Sequence, residues 1–160
     1  MDLHSPKLKN LIDIWIDEDL GNGDLTRFVL NKKIATAHWI AKQEGVFCGG
    51  DLISMVFERF DQKIKVQLFI NDGDNFKPGQ KLLELAGPTG SLVAAERLTL
   101  NIAMHLSGIA TTTALLVSQL QGTNIKLADT RKTTPGLRIF EKYAVKCGGG
   151  INHRLGLDDA

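Results

Sequence analysis

The sequence predicts α/β plus α+β structure, with an amino-terminal α/β sandwich domain followed by the first part of an incomplete (β/α) barrel. Strand and helix patterns alternate as far as Leu85, which is typical of an α+β layer. After Gly90 the pattern changes to long apolar helical stretches, and one strand, one polar loop and one helix then follow each other. We therefore place the amino-terminal domain at residues 1–90 and the incomplete barrel domain at residues 91–160.

Two helices and three strands account for the amino-terminal domain. Apolar residues at helical spacing predict a helix over residues 6–19 and another from Asp51, a candidate N-cap, to about residue 61. Alternating patterns predict strands over residues 34–42, 64–70 and 81–85. The first of these strands carries apolar side chains on both faces, so we expect both faces to be covered.

The barrel domain begins with two predicted helices, at residues 91–105 and 108–120. The short apolar run Ile125–Ala128 then predicts a buried parallel strand, which the loop 129–135 joins to a helix over residues 137–146. A closed barrel of this kind needs about eight strands, so only its first part fits within this chain. Functional sites in such folds lie at the carboxyl ends of the strands, and the loop after Ala128 occupies such a position.

The charge balance argues against two classes of partner. With 19 basic and 18 acidic residues the formal net charge is +1, too small for a general attraction to nucleic acid or a membrane surface. No continuous apolar run approaches the roughly 20 residues of a membrane span, so we expect no membrane partner and a cytoplasmic location. The two cysteines, Cys48 and Cys147, are expected to be reduced thiols, with Cys147 as a nucleophile left as an alternative.

Two neighbouring stretches of the carboxyl half gather cations at predicted turns. Arg131 offers a planar fork of donors that matches carboxylate or phosphate, and Lys132 adds a point charge beside it. His153 and Arg154 form a second cationic pair after Gly148–Gly150, where bare backbone amides are open to a ligand. This pattern favours a polyanionic substrate. The alternative is that the cations are surface charges and the glycines merely end a helix.

The same stretches resemble the signature of the quinolinate phosphoribosyltransferase family, also known as nicotinate-nucleotide pyrophosphorylase (carboxylating). The resemblance spans nearly the whole chain in order. Its motifs are Asp129–Arg138, Glu141–Val145 and Cys147–Leu157 in the carboxyl half, Ala95–Asn101 and Leu106–Thr111 in the central helices, and Glu18–Thr26 near the amino terminus.

The resemblance implies a transferase of NAD biosynthesis. Its reaction joins quinolinate to phosphoribosyl pyrophosphate and yields nicotinate mononucleotide, pyrophosphate and CO2, with Mg2+ accompanying phosphoribosyl pyrophosphate. By the same resemblance Arg131, His153 and Arg154 hold the quinolinate carboxylates, and Lys132 belongs to the same cationic pocket. Arg97 is expected to reach across the subunit boundary into the partner's active site, which implies a homodimer.

The family chain is substantially longer, and its later barrel strands carry another substrate lysine and the acidic residues that meet ribose and metal. No position here matches those residues, so we assign no catalytic residue and no metal ligand. We expect this polypeptide to be truncated at the carboxyl end and to lack turnover by itself. The alternatives are a non-catalytic dimerisation module of the family, or a related nicotinate-type or molybdenum-associated phosphoribosyltransferase. The intact Asp-Thr-Arg-Lys run favours quinolinate over these related enzymes.

Overall fold

The computed structural model describes residues 5–25, 30 and 33–159. Helices and strands alternate in the first half, and helices dominate the second. In chain order the elements are α1 (Pro6–Leu20), β1 (Ile34–Ile40), β2 (Gly45–Val46), α2 (Gly50–Phe60), β3 (Lys65–Leu68), β4 (Asn75–Phe76), β5 (Lys81–Pro88), α3 (Thr89–Ser118) and α4 (Arg138–Cys147).

The strands form a three-stranded antiparallel sheet in the order β1-β5-β3 and a small ribbon of β2 with β4. The central strand β5 is paired on both edges, and its Leu83 and Leu85 are buried in the core on which the sheet packs. The three predicted strands are confirmed. The expectation that β1 is covered on both faces is wrong, because Ile34 is 76% exposed and His38 lies on the same open face beside Glu84.

Helix α2 lies between two hydrophobic cores. Ile53 and Phe57 pack in the core beneath the sheet, whereas Leu52 and Val56 pack in a second core with α1, α3 and α4. The predicted N-cap at Asp51 is wrong, since Gly49 occupies the cap position with a φ of 105°. The capping carboxylate comes from elsewhere in the chain.

Asp72 provides that carboxylate. Its Oδ1 accepts hydrogen bonds of 2.9 Å from the backbone N–H groups of Gly49 and Gly50, which satisfies donors that the first helical turn leaves free. Its Oδ2 accepts a hydrogen bond of 2.8 Å from the Tyr143 hydroxyl on α4. The turn that carries Asp72 therefore fixes the start of α2 relative to α4.

Helix α3 is one continuous helix of 30 residues, so the prediction of two helices is wrong. Gly108 does not break it, because the buried stripe that includes Leu106, Ala110 and Thr113 continues on both sides of the glycine. Packing of that stripe outweighs the roughly 1 kcal/mol that a glycine costs within a helix. The helix starts one residue before Gly90, and the division into domains at residues 90 and 91 stays a prediction.

By length and composition alone, α3 is apolar enough to cross a membrane. It packs against the other helices and the sheet, and it is hydrogen-bonded to β2 and to the loop that follows β2. Thr111 Oγ1 accepts a hydrogen bond from Val46 N at 2.9 Å, and Ser107 Oγ accepts one from Cys48 N at 3.1 Å.

The predicted strand Ile125–Ala128 is reduced to a single parallel bridge between Ala128 and Ile151. A parallel strand needs neighbours on its edges, and among the described residues only the segment around Ile151 lies alongside it. Ile125 is accordingly 66% exposed. The helix predicted at 137–146 is confirmed as α4.

Gly148 and Gly108 provide a matched test of the packing between α3 and α4. A Cβ at Gly148 would collide with the Ala110 carbonyl oxygen and lie 2.6 Å from Thr113 Cβ, whereas a Cβ at Gly108 would meet no atom within 4 Å among the described residues. We expect Gly148→Ala to lower the free energy of unfolding by about 1–3 kcal/mol. Gly108→Ala should raise it by up to about 1 kcal/mol. Urea denaturation followed by circular dichroism measures both, and equal effects would contradict the packing described.

Candidate anion-binding site

Two segments that are 22 or more residues apart in the sequence run side by side at the candidate site. Ile151 N donates to Leu127 O at 2.8 Å, and Asp129 N donates to Ile151 O at 3.0 Å. The loop that carries Arg131 and Lys132 therefore starts next to the segment that carries His153 and Arg154. The backbone pairing brings together the two cationic stretches that the sequence singled out.

A buried ion pair fixes this arrangement. Lys142 on α4 and Asp129 at the start of the loop have side chains that are 2% and 5% exposed, and the Lys142 Nζ donates to Asp129 Oδ1. Asp129 also accepts hydrogen bonds from His153 N at 2.7 Å and from Asn152 Nδ2 at 2.5 Å. Lys142 Nζ donates a further bond of 3.0 Å to His153 O. Each charge thus has several partners, as a buried pair requires.

The environment of Asp129 favours its charged form. Burial raises the pKa of this carboxyl, but the hydrogen bonds from Lys142, from the His153 amide and from Asn152 outweigh burial and hold the pKa below its usual value. A lowered folded-state pKa stabilises the fold above the unfolded-state value of about 4, and that contribution is lost as the pH falls through the folded-state pKa. The network is therefore fully formed at neutral pH.

Arg138 and Glu141, at the start of α4, fasten the same loop from the other side. Arg138 donates from Nε to Thr133 Oγ1 at 3.1 Å, from Nη1 to Leu155 O at 3.1 Å and from Nη2 to Arg131 O at 3.4 Å. Glu141 Oε2 accepts a hydrogen bond of 3.1 Å from the backbone of Thr134. The guanidinium of Arg138 thus forms hydrogen bonds within the protein that hold the loop in place.

Glu141 also connects the loop to α3, because its Oε1 lies 2.9 Å from His105 Nε2. Burial raises the pKa of Glu141, but hydrogen bonds from Thr134 and His105 outweigh burial and lower it. His105 therefore has a partner acid and a positioning role in this fold.

Within the described residues, the cations predicted to bind substrate have no acidic partner. Ion pairs between described residues involve Arg59, Lys81, Lys142, His38 and His105. Across residues 5–25, 30 and 33–159 none involves the predicted substrate-binding residues Arg97, Arg131, Lys132, His153 and Arg154.

Arg131 and His153 illustrate how these groups are presented. The Nε of half-buried Arg131 is buried and has no hydrogen-bond partner within the described part of the chain, so the internal contacts of the fold do not satisfy this guanidinium. His153 is exposed, and its Nδ1 accepts a hydrogen bond of 2.8 Å from Arg154 N, so the ring nitrogen Nε2 faces away from that contact. Lys132 and Arg154 are exposed beside them.

Arg97 lies apart from this cluster. It is exposed on α3, two helical turns before His105, the residue that bonds to Glu141. At 1.5 Å per residue this places Arg97 about 12 Å further along the helix. The fold thus brings four of the five predicted cations onto adjacent segments and leaves Arg97 on a different part of the surface.

The glycines that precede His153 have a different role from the one predicted. Backbone N–H groups of Gly148, Gly149 and Gly150 donate to carbonyl groups of Ala144, Lys146 and Val145 at the end of α4, at 2.9–3.1 Å. The expectation that these amides are open to a ligand is wrong. These glycines end the helix and allow close contact with α3, because a Cβ at Gly150 would lie 3.1 Å from Thr113 Cγ2.

Sequence reasoning gave no role to Asp129, Arg138, Lys142 and Asn152, which hold the site together. Lys142 lies roughly opposite Phe140 and Ala144 on α4, on the face where an amphipathic pattern predicts exposure. The sequence did indicate their importance in one way, because all four residues lie within the motifs that resemble the family.

The carboxylates next to these cations do not fit a magnesium site. Mg2+ requires oxygen ligands, yet Asp129 is engaged by Lys142, Asn152 and His153 N, and Glu141 by Thr134 and His105. Within the described residues we therefore assign no metal ligand to this cluster.

Comparison with known proteins identifies the class of molecule. Residues 24–107 match the family model of the quinolinate phosphoribosyl transferase N-terminal domain, and residues 109–160 match that of the C-terminal domain. The fold is thus that of a phosphoribosyl transferase. The chain belongs to the quinolinate phosphoribosyl transferase family.

Curated relatives and solved structures agree. The chain is 45% identical over 154 residues to a probable nicotinate-nucleotide pyrophosphorylase (carboxylating) of Bacillus subtilis, covering 96% of this chain and 53% of the relative. It is 42% identical over 147 residues to the protein of the same name from Synechocystis, covering 91% and 50%. The crystal structure of NadC from Streptococcus pyogenes has a TM-score of 0.94 at 40% identity and covers 100% of this chain and 57% of that one. The chain spans about half the length of these curated relatives.

Lys142→Met tests whether the buried pair holds the site. The variant keeps much of the side-chain volume but leaves the Asp129 carboxylate buried without its cation. We expect the free energy of unfolding to fall by about 3–5 kcal/mol. Lys146→Met, at an exposed position on the same helix, is the control and should change it by less than about 0.5 kcal/mol. Urea denaturation at neutral pH measures both. A loss below about 1 kcal/mol for Lys142→Met would show that the pair does not fix the loop.

Proposed function

We propose that this chain provides the quinolinate-binding part of an enzyme that transfers a phosphoribosyl group from phosphoribosyl pyrophosphate to quinolinate and removes one carboxyl group as CO2. The products are nicotinate mononucleotide, pyrophosphate and CO2. The observation that carries the proposal is the buried pair of Lys142 and Asp129, which holds two cationic segments side by side. The names of the relatives from Bacillus subtilis and Synechocystis support the same reaction.

The chemistry of quinolinate matches the cationic groups of the cluster. Its two adjacent carboxylates require two groups of donors, and the segments supply Arg131 with Lys132 on one side and His153 with Arg154 on the other. Arginine binds a carboxylate through two parallel hydrogen bonds, which fixes orientation as well as charge. Since the net charge of the chain is only +1, the attraction for the dianion is local to this cluster.

The transfer step places few demands on the protein beyond binding and orientation. The quinolinate nitrogen attacks C1 of the ribose while the bond from C1 to the pyrophosphate oxygen breaks, and the leaving group takes that electron pair. Cations that fix the ring carboxylates orient the nitrogen toward C1 and remove the need for a protein nucleophile. We expect Mg2+ to arrive bound to the pyrophosphate of the substrate.

Loss of CO2 follows from the same geometry. Once the ring nitrogen carries the ribose it is a positively charged pyridinium. The bond between C2 and its carboxylate breaks, the electron pair stays on C2 beside the positive nitrogen, and C2 then takes a proton. The protein's contribution is to hold the ring in place during this step.

We also propose that the functional unit is a homodimer in which Arg97 completes the site of a second copy. Its support is the position of Arg97, exposed and about 12 Å along α3 from the residue that contacts α4. A cytoplasmic location is part of the same proposal, since Cys48 and Cys147 lie 3.5 Å apart as free thiols, a state that reducing compartments maintain.

Quinolinate titration of Arg131 variants tests the substrate. We expect Arg131→Ala to weaken quinolinate binding by roughly 10- to 100-fold, because a charge-assisted hydrogen bond contributes about 1.5–3 kcal/mol. Arg131→Lys should give an intermediate value, since it keeps the charge and loses the planar fork. Isothermal titration calorimetry with quinolinate measures both.

Lys126→Ala, at an exposed lysine before the loop, is the control for that titration and should bind quinolinate as the unaltered chain does. Nicotinate, with one carboxylate, should bind more weakly than quinolinate. Equal affinity for the two acids would favour a nicotinate-type enzyme. No binding of either acid would favour a non-catalytic dimerisation module.

Arg97→Ala tests the shared site. We expect this variant to bind quinolinate about tenfold more weakly at concentrations where the chain is dimeric, and as the unaltered chain does where it is monomeric. Analytical ultracentrifugation defines the two concentration ranges, and Glu96→Ala, at the exposed neighbouring position, is the control. A chain that sediments as a monomer throughout would overturn the dimer.

A further inference from the structure

The two cysteines of the chain meet in space although 99 positions separate them. Their sulfur atoms lie 3.5 Å apart, with Cys48 in the loop before α2 and Cys147 at the last position of α4. Cys48 is fully buried and Cys147 is half-buried. The reaction proposed above uses neither sulfur.

The backbone on each side holds this contact in place. Cys48 N donates to Ser107 Oγ at 3.1 Å, and Phe47 on the preceding position is bonded to the Asp72–Asp74 turn through two backbone hydrogen bonds of 2.8 and 2.9 Å. On the other side, Gly148 has no side chain, so the end of α4 packs directly against Ala110 and Thr113 of α3. Both thiols are thus carried by packed structure, which gives them a high effective concentration for each other.

The two thiols differ in reactivity. The hydrogen bond from the Cys48 thiol lowers the pKa of Cys147, and this effect outweighs burial and the charge of Asp72, which both oppose it. The pKa of Cys48 is raised by the contact with Cys147, by burial and by the charge of Asp72. Cys147 therefore supplies the thiolate, and it is also the more accessible of the two.

We propose that Cys48 and Cys147 form a redox-active dithiol that hydrogen peroxide converts into an intramolecular disulfide. In the first step the Cys147 thiolate attacks one peroxide oxygen, the O–O bond breaks, and hydroxide leaves and becomes water. The product is a sulfenic acid on Cys147. In the second step the Cys48 sulfur attacks the Cys147 sulfur, the S–O bond breaks, and the departing hydroxide takes the Cys48 proton. The two sulfurs together lose two electrons, and one peroxide becomes two waters.

A metal site is the competing interpretation, because donor atoms of Cys48, Cys147 and Asp72 all lie within 4.8 Å of one another. Asp72 is already fully engaged, with Oδ1 accepting from two backbone amides and Oδ2 from Tyr143. A structural zinc site uses four ligands, and the described residues offer only these three of His, Cys, Asp or Glu type at this cluster. The observations therefore favour the dithiol.

Peptide mapping of the peroxide-treated chain tests the proposal. Trypsin releases Cys48 within residues 43–59 and Cys147 within residues 147–154, each peptide with a single cysteine. After peroxide and alkylation of remaining thiols, we expect these two peptides to be joined, two hydrogen atoms lighter than their sum, and to separate on reduction. The disulfide should form at least about tenfold faster in the native chain than in urea, because folding brings the two sulfur atoms into contact.

Single-cysteine variants separate the roles of the two sulfurs. Cys48→Ser should leave Cys147 to accumulate as a sulfenic acid that dimedone traps, whereas Cys147→Ser should leave Cys48 inert to peroxide and dimedone. Circular dichroism verifies that each variant is folded. The proposal is overturned if both thiols of the native chain survive peroxide, if only intermolecular disulfides form, or if urea does not slow formation of the intramolecular disulfide. Stoichiometric zinc in the purified chain, released only on loss of the thiols, would overturn it in favour of the metal site.

Discussion

The ion pair of Lys142 and Asp129 is the interaction on which the candidate site depends. Two opposite charges removed from water are costly unless they are paired and hydrogen-bonded, and here the same partners that satisfy them belong to the segment of Asn152 and His153. The segment of Asn152 and His153 is thus held in place by the hydrogen bonds that it donates to the buried carboxylate of Asp129. The side chains of the cations on each side are positioned by this network, and none of them forms an ion pair with it among the described residues.

This arrangement explains how a nearly neutral protein presents a strongly cationic surface. Two acids at the cluster, Asp129 and Glu141, accept hydrogen bonds from lysine, histidine and backbone amides that hold the structure. The arginines and the lysine of the loop are left with no acidic counterpart among the described residues. At this cluster the two acids are therefore bonded to structural donors, whereas Lys132, His153 and Arg154 are exposed to solvent. A count of residues by sign, which gives +1, cannot reveal that difference.

Much of the fold follows from periodicity, and the exceptions have physical causes. Helices α1, α2 and α4 and the strands of the sheet carry clear patterns of period 3.6 or 2, which local sequence is enough to predict. The continuity of α3 across Gly108 was missed because tertiary packing on both sides of the glycine decides it. The run Ile125–Ala128 has the composition of a buried strand, but a strand also needs neighbours, which composition does not report. Among the site residues, the cations were predictable from their motifs. Lys142 was not, because its burial results from a distant segment folding over a polar helix face.

One helix connects the two halves that the family models recognise separately. The N-terminal match ends at residue 107 and the C-terminal match begins at residue 109, so the junction falls inside α3. This helix is continuous over 30 residues, or about 45 Å. A rigid rod at such a junction cannot act as a hinge. The two matched regions therefore share one continuous helix, and the packing of α3 against both of them sets how they are arranged.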